Sequence, residues 1–340
     1  MKTKQLIFSM GVLFFLFNLN VVAQEIPSPE QALQNFNINA AGIKQLEEGE
    51  IVSYEVSETS RKELAVGLAM IIPASLSEIV NYINEGHLNI NEVDLISSMP
   101  LLEKADIRSF KEFGFTAQQM KEAKSFLKAE PGELFNLSQR ELDNLRSLQG
   151  KLKNSDDTRI LKLANQKYRE FLLNRYTTYR EKGLAGIDSY IRDEGLTDPG
   201  KELRTDALNS KAWAQYFPEL QQTWLNYPAA LPENTSEEFL WMNRMVEDRP
   251  TAILTHRMIA SNEVGGILLS RQFYVGHSYN SSHVVAGGLP YKNGTLVFYS
   301  VRSSTDQVDG PGSKLKHFFG RTKLKKEMID KLRNINADLK

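Results

Sequence analysis

The chain has 340 residues, with 41 Lys and Arg against 42 Asp and Glu, a formal charge of −1, and no cysteine. The missing thiols exclude disulfides, thiolate metal sites, a cysteine nucleophile and a lipid-modified cysteine. The near-neutral balance argues against a general nucleic-acid binder.

Lys2 and Lys4 precede an apolar run from Leu6 to Phe17 and the small-residue stretch Val21-Val22-Ala23. That order is the basic region, apolar core and cleavage site of a secretory signal peptide over residues 1–23, cut between Ala23 and Gln24. An apolar core of about 12 residues falls short of the roughly 20 a membrane span needs, so cleavage is favoured over an uncleaved anchor. The predicted location is the periplasm or the extracellular space. There a chain without disulfides must rely on its buried core.

Residues 24–48 contain Pro27, Pro29 and several Asn, and read as a flexible segment with at most one short helix. Two strands follow, Glu50–Val56 and Leu64–Ile72. In the second, Leu64, Val66, Leu68, Met70 and Ile72 share one face and Ala65, Gly67, Ala69 and Ile71 the other. The bulky face predicts a covering layer, and the small face predicts a close neighbour. Pro73 stops the strand, and Ser75 caps a helix carrying Ile79, Val80 and Ile83 that ends at Gly86.

Residues 87–248 read as a helical insertion. Thr116–Gln119 and Ser138–Glu141 are capping boxes. A long helix from about Thr158 to Lys182 carries Ile160, Ala164, Tyr168, Phe171, Leu172, Tyr176 and Tyr179 on one stripe. After Pro250 the period changes to two, giving strands Thr251–Ala260, Ile267–Tyr279, Ser282–Leu289 and Thr295–Ser303. Short turns at Asn262–Gly266 and Lys292-Asn293-Gly294 make these strands antiparallel. A closing helix starts near Lys314 or Lys323, with Leu324, Met328, Leu332, Ile335 and Leu339 on the stripe that faces the sheet.

The resulting fold class is α+β. A curled antiparallel sheet built from 49–86 and 249–340 wraps a long C-terminal helix, and a large all-helical block is inserted between its halves. The segments LAVGLAMIIPASLSEIVNYI, GTLVFYSVRSSTD and KLKHFFGRTKLKKEMIDKLRNI, about 90 residues in all, resemble the START-like (helix-grip) lipid-binding superfamily. The resemblance implies a hydrophobic ligand held in a cavity between sheet and closing helix.

Strand parity supplies the candidate site. On the Ile267–Tyr279 stretch the more apolar face carries Arg271 and His277, and on Thr251–Ala260 it carries His256. A buried charge or imidazole needs a partner, and a ligand head group would provide one. Arg271 and His277 are therefore assigned to the head group, with His256 as a second polar contact, Tyr299 and Arg302 completing the ligand-binding set, and the aromatic stripe as part of the wall. The alternative for each is an ordinary hydrogen-bonded core residue.

Arg302, Asp306 and Asp309 form a polar corner before the closing helix, where Arg and Asp pair or line a cavity mouth. His277 and His283 lack the spacing of a zinc site, and Ser303-Ser304-Thr305-Asp306 lacks a nucleophile elbow. No metal, cofactor or catalytic residue is assigned. Lys314, Lys316, Arg321, Lys323, Lys325 and Lys326 surround Phe318 and Phe319, a pattern of either a solvated helix face or a peripheral membrane contact over Lys314–Lys326. Two further functions stay open: a hydrolase-type enzyme with His277 or His256 as general base, and a scaffold that binds proteins through the helical insertion.

Overall fold

The computed structural model describes residues 25–90, 94–153 and 155–340; the signal peptide expected over residues 1–23 lies outside the described residues. Ten strands are present among them: β1 Val52–Tyr54, β2 Glu63–Ile72, β3 Leu95–Pro100, β4 Tyr190–Arg192, β5 Gly195–Thr197, β6 Thr235–Val246, β7 Arg249–Ser261, β8 Gly266–Val275, β9 Ser281–Tyr291 and β10 Gly294–Ser304. Eight form one antiparallel sheet in the order β1-β2-β10-β9-β8-β7-β6-β3, open at β1 and β3; β4 and β5 pair separately.

From β6 to β10 each strand pairs with the next in sequence, so short turns set the order. The β6–β7 turn places Glu247 and Asp248 at φ 52° and 58°, the handedness that matches the twist of a two-residue hairpin. β10 then pairs with β2, with Tyr299 opposite Leu68 and Val301 opposite Val66.

Residues 87–248 are therefore not all helical. They supply β3 and β6, so the sheet has one more late strand than the four the alternation predicts, and also a strand from near the start of the block. Residues 25–48 carry two helices rather than at most one. Helices Pro29–Asn35 and Ala40–Glu47 start at side-chain caps from Ser28 and Asn39. They bury Leu33 and Leu46 against Ala69, Leu296 and Phe298 of the sheet, and Phe36 stacks on Phe298 at 4.5 Å.

Both faces of the sheet are covered. On one, the long helix Asp157–Lys182 buries Ala164, Tyr168, Phe171, Leu172, Tyr176 and Tyr179 in a core shared with Leu254, Met258, Leu269 and Phe273. Tyr179 lies flat on Phe273 at 3.9 Å. On the other, the closing helix Ser313–Asp338 sets Met328 and Leu332 against Val66, Leu68, Met70 and Val301. The two faces of β2 divide as its alternation predicts: the bulky face meets the closing helix. On the small face, a Cβ at Gly67 would lie 2.4 Å from the Tyr54 ring.

The Ile267–Tyr279 stretch ends as a strand at Val275 and is interrupted before that. Leu254 pairs with Tyr274 but Thr255 pairs with Gln272, so Phe273 is the extra residue of a bulge. Past the bulge, parity reverses: Phe273 and Tyr274 both join the helical-block core, while Val275 turns to the other side beside Leu240, Met242 and Ile253.

Candidate functional site

Between the sheet and its closing helix lies a cavity of about 750 Å³. Its floor is ruled by strand register. Ile259, Leu268, Ala286 and Tyr299 are directly opposite one another across β7, β8, β9 and β10; the next row is Arg257, Ser270, Val284 and Val301, and the next Thr255, Gln272, Ser282 and Ser303. The floor thus grades from apolar to polar along the strands. Helix Leu76–Asn84 adds Ile79, Val80 and Ile83, and the closing helix adds Leu324, Met328, Leu332 and Ile335.

The polar end is held in place by side-chain bonds. The Tyr279 hydroxyl donates to Gln272 Oε1 at 2.7 Å. Arg257, 3% exposed, donates to Glu238 Oε1 at 2.7 Å, so its charge is balanced. The Thr255 hydroxyl is buried and makes no hydrogen bond among the described residues; a buried hydroxyl in that state favours any partner that supplies an acceptor or donor. Lys316, Phe319 and Lys323 of the closing helix also border the cavity.

Of the sequence-predicted ligand residues, Tyr299 lines this cavity. His256, Arg271 and Arg302 do not. Register brings them together with His283 in a single row across β7 to β10, on the opposite face under the helical block. Strand alternation distinguishes two faces but not the layer that covers each, and the apolar face is the one sealed by helices. The aromatic stripe goes with that face and forms no part of the cavity wall.

In that row, Arg271 lies 3.7 Å over the Trp224 ring and donates to the Trp224 carbonyl. Burial pulls its pKa below the usual guanidinium range. The Trp224 indole donates to His283 Nε2 at 3.0 Å, and burial lowers His283 to about 3. His256 sits 2.7 Å from the Tyr179 hydroxyl through Nδ1 and 3.0 Å from Glu237 through Nε2, off the line of a good hydrogen bond. Burial, then the nearby Arg271 and Arg180, hold it well below the ordinary imidazole range. Arg302 bonds Glu63 and the Ser57 carbonyl, so the expected pairing with Asp306 is replaced. Asp306 instead receives Lys62 at 2.7 Å and Arg192 at 2.8 Å.

A second cavity of about 450 Å³ borders Arg302 on this face, between Phe36, Tyr216, Phe217 and Phe298. His277 belongs to neither cavity. It is buried at the end of β8, 2.7 Å from the Thr251 hydroxyl and 2.7 Å from that of Ser278, and burial lowers it to about 3. Neither His256 nor His277 lines either of these two cavities.

Sequence reasoning passed over the polar row Thr255, Gln272, Ser282 and Ser303; strand parity puts Thr255 and Gln272 on the faces opposite His256 and Arg271. One signal for it exists: β7 is apolar on both faces, with Ile253 and Ile259 on one side and Leu254 and Met258 on the other, as in strands covered from both sides. Among the described residues no group of three or more His, Asp or Glu is placed to hold a metal ion, and no helix is long and apolar enough to cross a membrane. No family model, no curated protein and no solved structure matches the chain.

Proposed function

We propose that this chain is exported and carries an apolar small molecule of lipid type in the cavity between sheet and closing helix. The supporting observation is a cavity of about 750 Å³, within the range of small-molecule sites, whose floor is apolar at one end and hydrogen-bonding at the other. An amphiphile matches that gradient: its chain lies along Ile259, Leu268, Ala286 and Tyr299, and its polar head reaches Thr255, Gln272 and Ser282. Each methylene buried there contributes about 0.8 kcal/mol, so a chain of about 15 carbons supplies the roughly 12 kcal/mol that micromolar affinity needs after an association cost of about 4 kcal/mol. In this reading the sheet and the closing helix form a helix-grip arrangement, and the helical block braces the sheet from behind.

The test is titration of a fluorescent fatty-acyl probe into the purified chain, with native mass spectrometry of protein taken from its own source. Saturable binding of one probe per chain, and a co-purified lipid mass, support the proposal. A folded protein that binds no probe and carries no added mass overturns it.

A further inference from the structure

The first half of the closing helix, residues 313–326, has a second apolar surface that the core does not use. At 100° per residue, Leu315, Phe318, Phe319 and Thr322 fall on one arc, away from Leu324 and Met328 that pack on the sheet. Leu315 is 61% exposed and Phe318 and Phe319 are each 60% exposed, with the two rings edge to face at 5.6 Å. Single exposed apolar residues are ordinary; three together on one helix face mark an interaction site.

The charge around them has one sign. No acidic residue occurs from Ser313 to Lys326, and cationic side chains flank the arc on both sides, Lys314 and Lys325 on one, Lys316 and Lys323 on the other. Arg321 lies 3.5 Å from Glu58 and Lys316 donates to the Asp309 carbonyl, but Lys314, Lys323, Lys325 and Lys326 have no carboxylate partner among the described residues. An apolar stripe between rows of lysines is the pattern of a helix lying in the interface of an anionic bilayer.

We propose that this helix end docks on an anionic lipid bilayer, with Leu315, Phe318 and Phe319 at the boundary of head groups and acyl chains and the lysines on acidic head groups. A second copy of the chain fits less well. Three partly exposed side chains offer roughly 400 Å² or less, about half of what one partner of a stable dimer buries, and two such faces would bring like charges together. Phe319, Lys316 and Lys323 also border the cavity, so docking turns its opening toward the lipid. That consequence, unlike the docking, rests on the carrier reading.

The experiment is co-sedimentation of the mature chain with vesicles of phosphatidylcholine alone and with phosphatidylglycerol added. Binding to the mixed vesicles that falls as salt rises is expected, because exposed charges are screened. Each lysine at such a surface strengthens binding about fivefold, so Lys314→Gln/Lys325→Gln/Lys326→Gln should weaken it about a hundredfold. Leu315→Ser/Phe318→Ser keeps the charge and should weaken it about tenfold. All five positions are exposed and outside the cavity, so both variants should keep wild-type thermal unfolding and acyl-probe binding without vesicles. Equal partition onto the two vesicle types, or unchanged binding of the Leu315/Phe318 variant, overturns the proposal. So does self-association that this variant abolishes, which assigns the surface to a second copy. Vesicle binding without probe binding would sink the carrier reading and leave the docking intact.

Discussion

Glu202 is a buried carboxyl whose environment makes stability depend on pH in a direction opposite to that of most acids. It accepts a hydrogen bond from the Ser281 hydroxyl at 2.7 Å and from Asn280 Nδ2 at 3.0 Å. These favour the anion, but desolvation outweighs them and raises the group from 4.5 to about 7. The folded state therefore binds this proton more tightly than the unfolded chain. The stability tied to it is full below about pH 4.5 and is lost as pH climbs through about 7. The difference amounts to about 3 kcal/mol at most. Glu202→Gln has the same shape and no charge to desolvate. At about pH 5 it should be roughly 1 kcal/mol less stable than wild type, because the amide cannot accept from both donors as the carboxyl does. At about pH 9 it should be more stable by about 1–2 kcal/mol. Asp206 is raised to about 8, chiefly by burial and in part by the Glu202 charge, so removing that charge eases the ionisation of Asp206 and adds to the gain at about pH 9. Guanidinium unfolding at the two pH values measures the gap. A difference that is the same at both would refute the account of Glu202.

Three other outcomes follow from the geometry. Ala286→Phe puts a ring on the apolar floor of the cavity and should weaken acyl-probe binding at least tenfold while leaving the fold intact; a titration isotherm reads this. Gln272→Leu should lower affinity for polar-headed amphiphiles relative to alkanes by about 1–2 kcal/mol, measured by calorimetry across a ligand pair. Gly183 ends the long helix at φ 56°, and a Cβ there would stand 1.7 Å from the Tyr227 carbonyl oxygen. Gly183→Ala should consequently cost more than about 3 kcal/mol, read as a shifted denaturation midpoint.

Much of the sheet was readable from alternation. β7, β9 and β10 lie within a few residues of the predicted strands, and the closing helix begins one residue before the earlier of its two predicted starts. What alternation cannot carry is which layer lies over each face, and so His256 and Arg271 lie on the face away from the larger cavity. Their cross-strand neighbours, His283 among them, are set by register, and the partners that seal them, Trp224 and Tyr179, are far away in sequence. The bulge at Phe273 has no local signature, yet it reverses every side chain after it and moved Val275 off the predicted face. β6 was hidden because Phe239-Leu240-Trp241-Met242 is a continuous apolar run, which has no period to separate strand from helix. The helices at Pro29–Asn35 and Ala40–Glu47 span about two turns each, too few for a 3.6-residue repeat to show.

Because β10 slots between β9 and β2, the strand made last completes the middle of the sheet rather than its rim. Until it arrives, β2 has no wide partner and the pocket has no continuous base. Assembly must therefore wait for the carboxyl-terminal segment, a high-contact-order step that slows the search for the native state. A chain cut short before Gly294 would not be a trimmed version of this protein but two exposed edges ready to pair with a stranger.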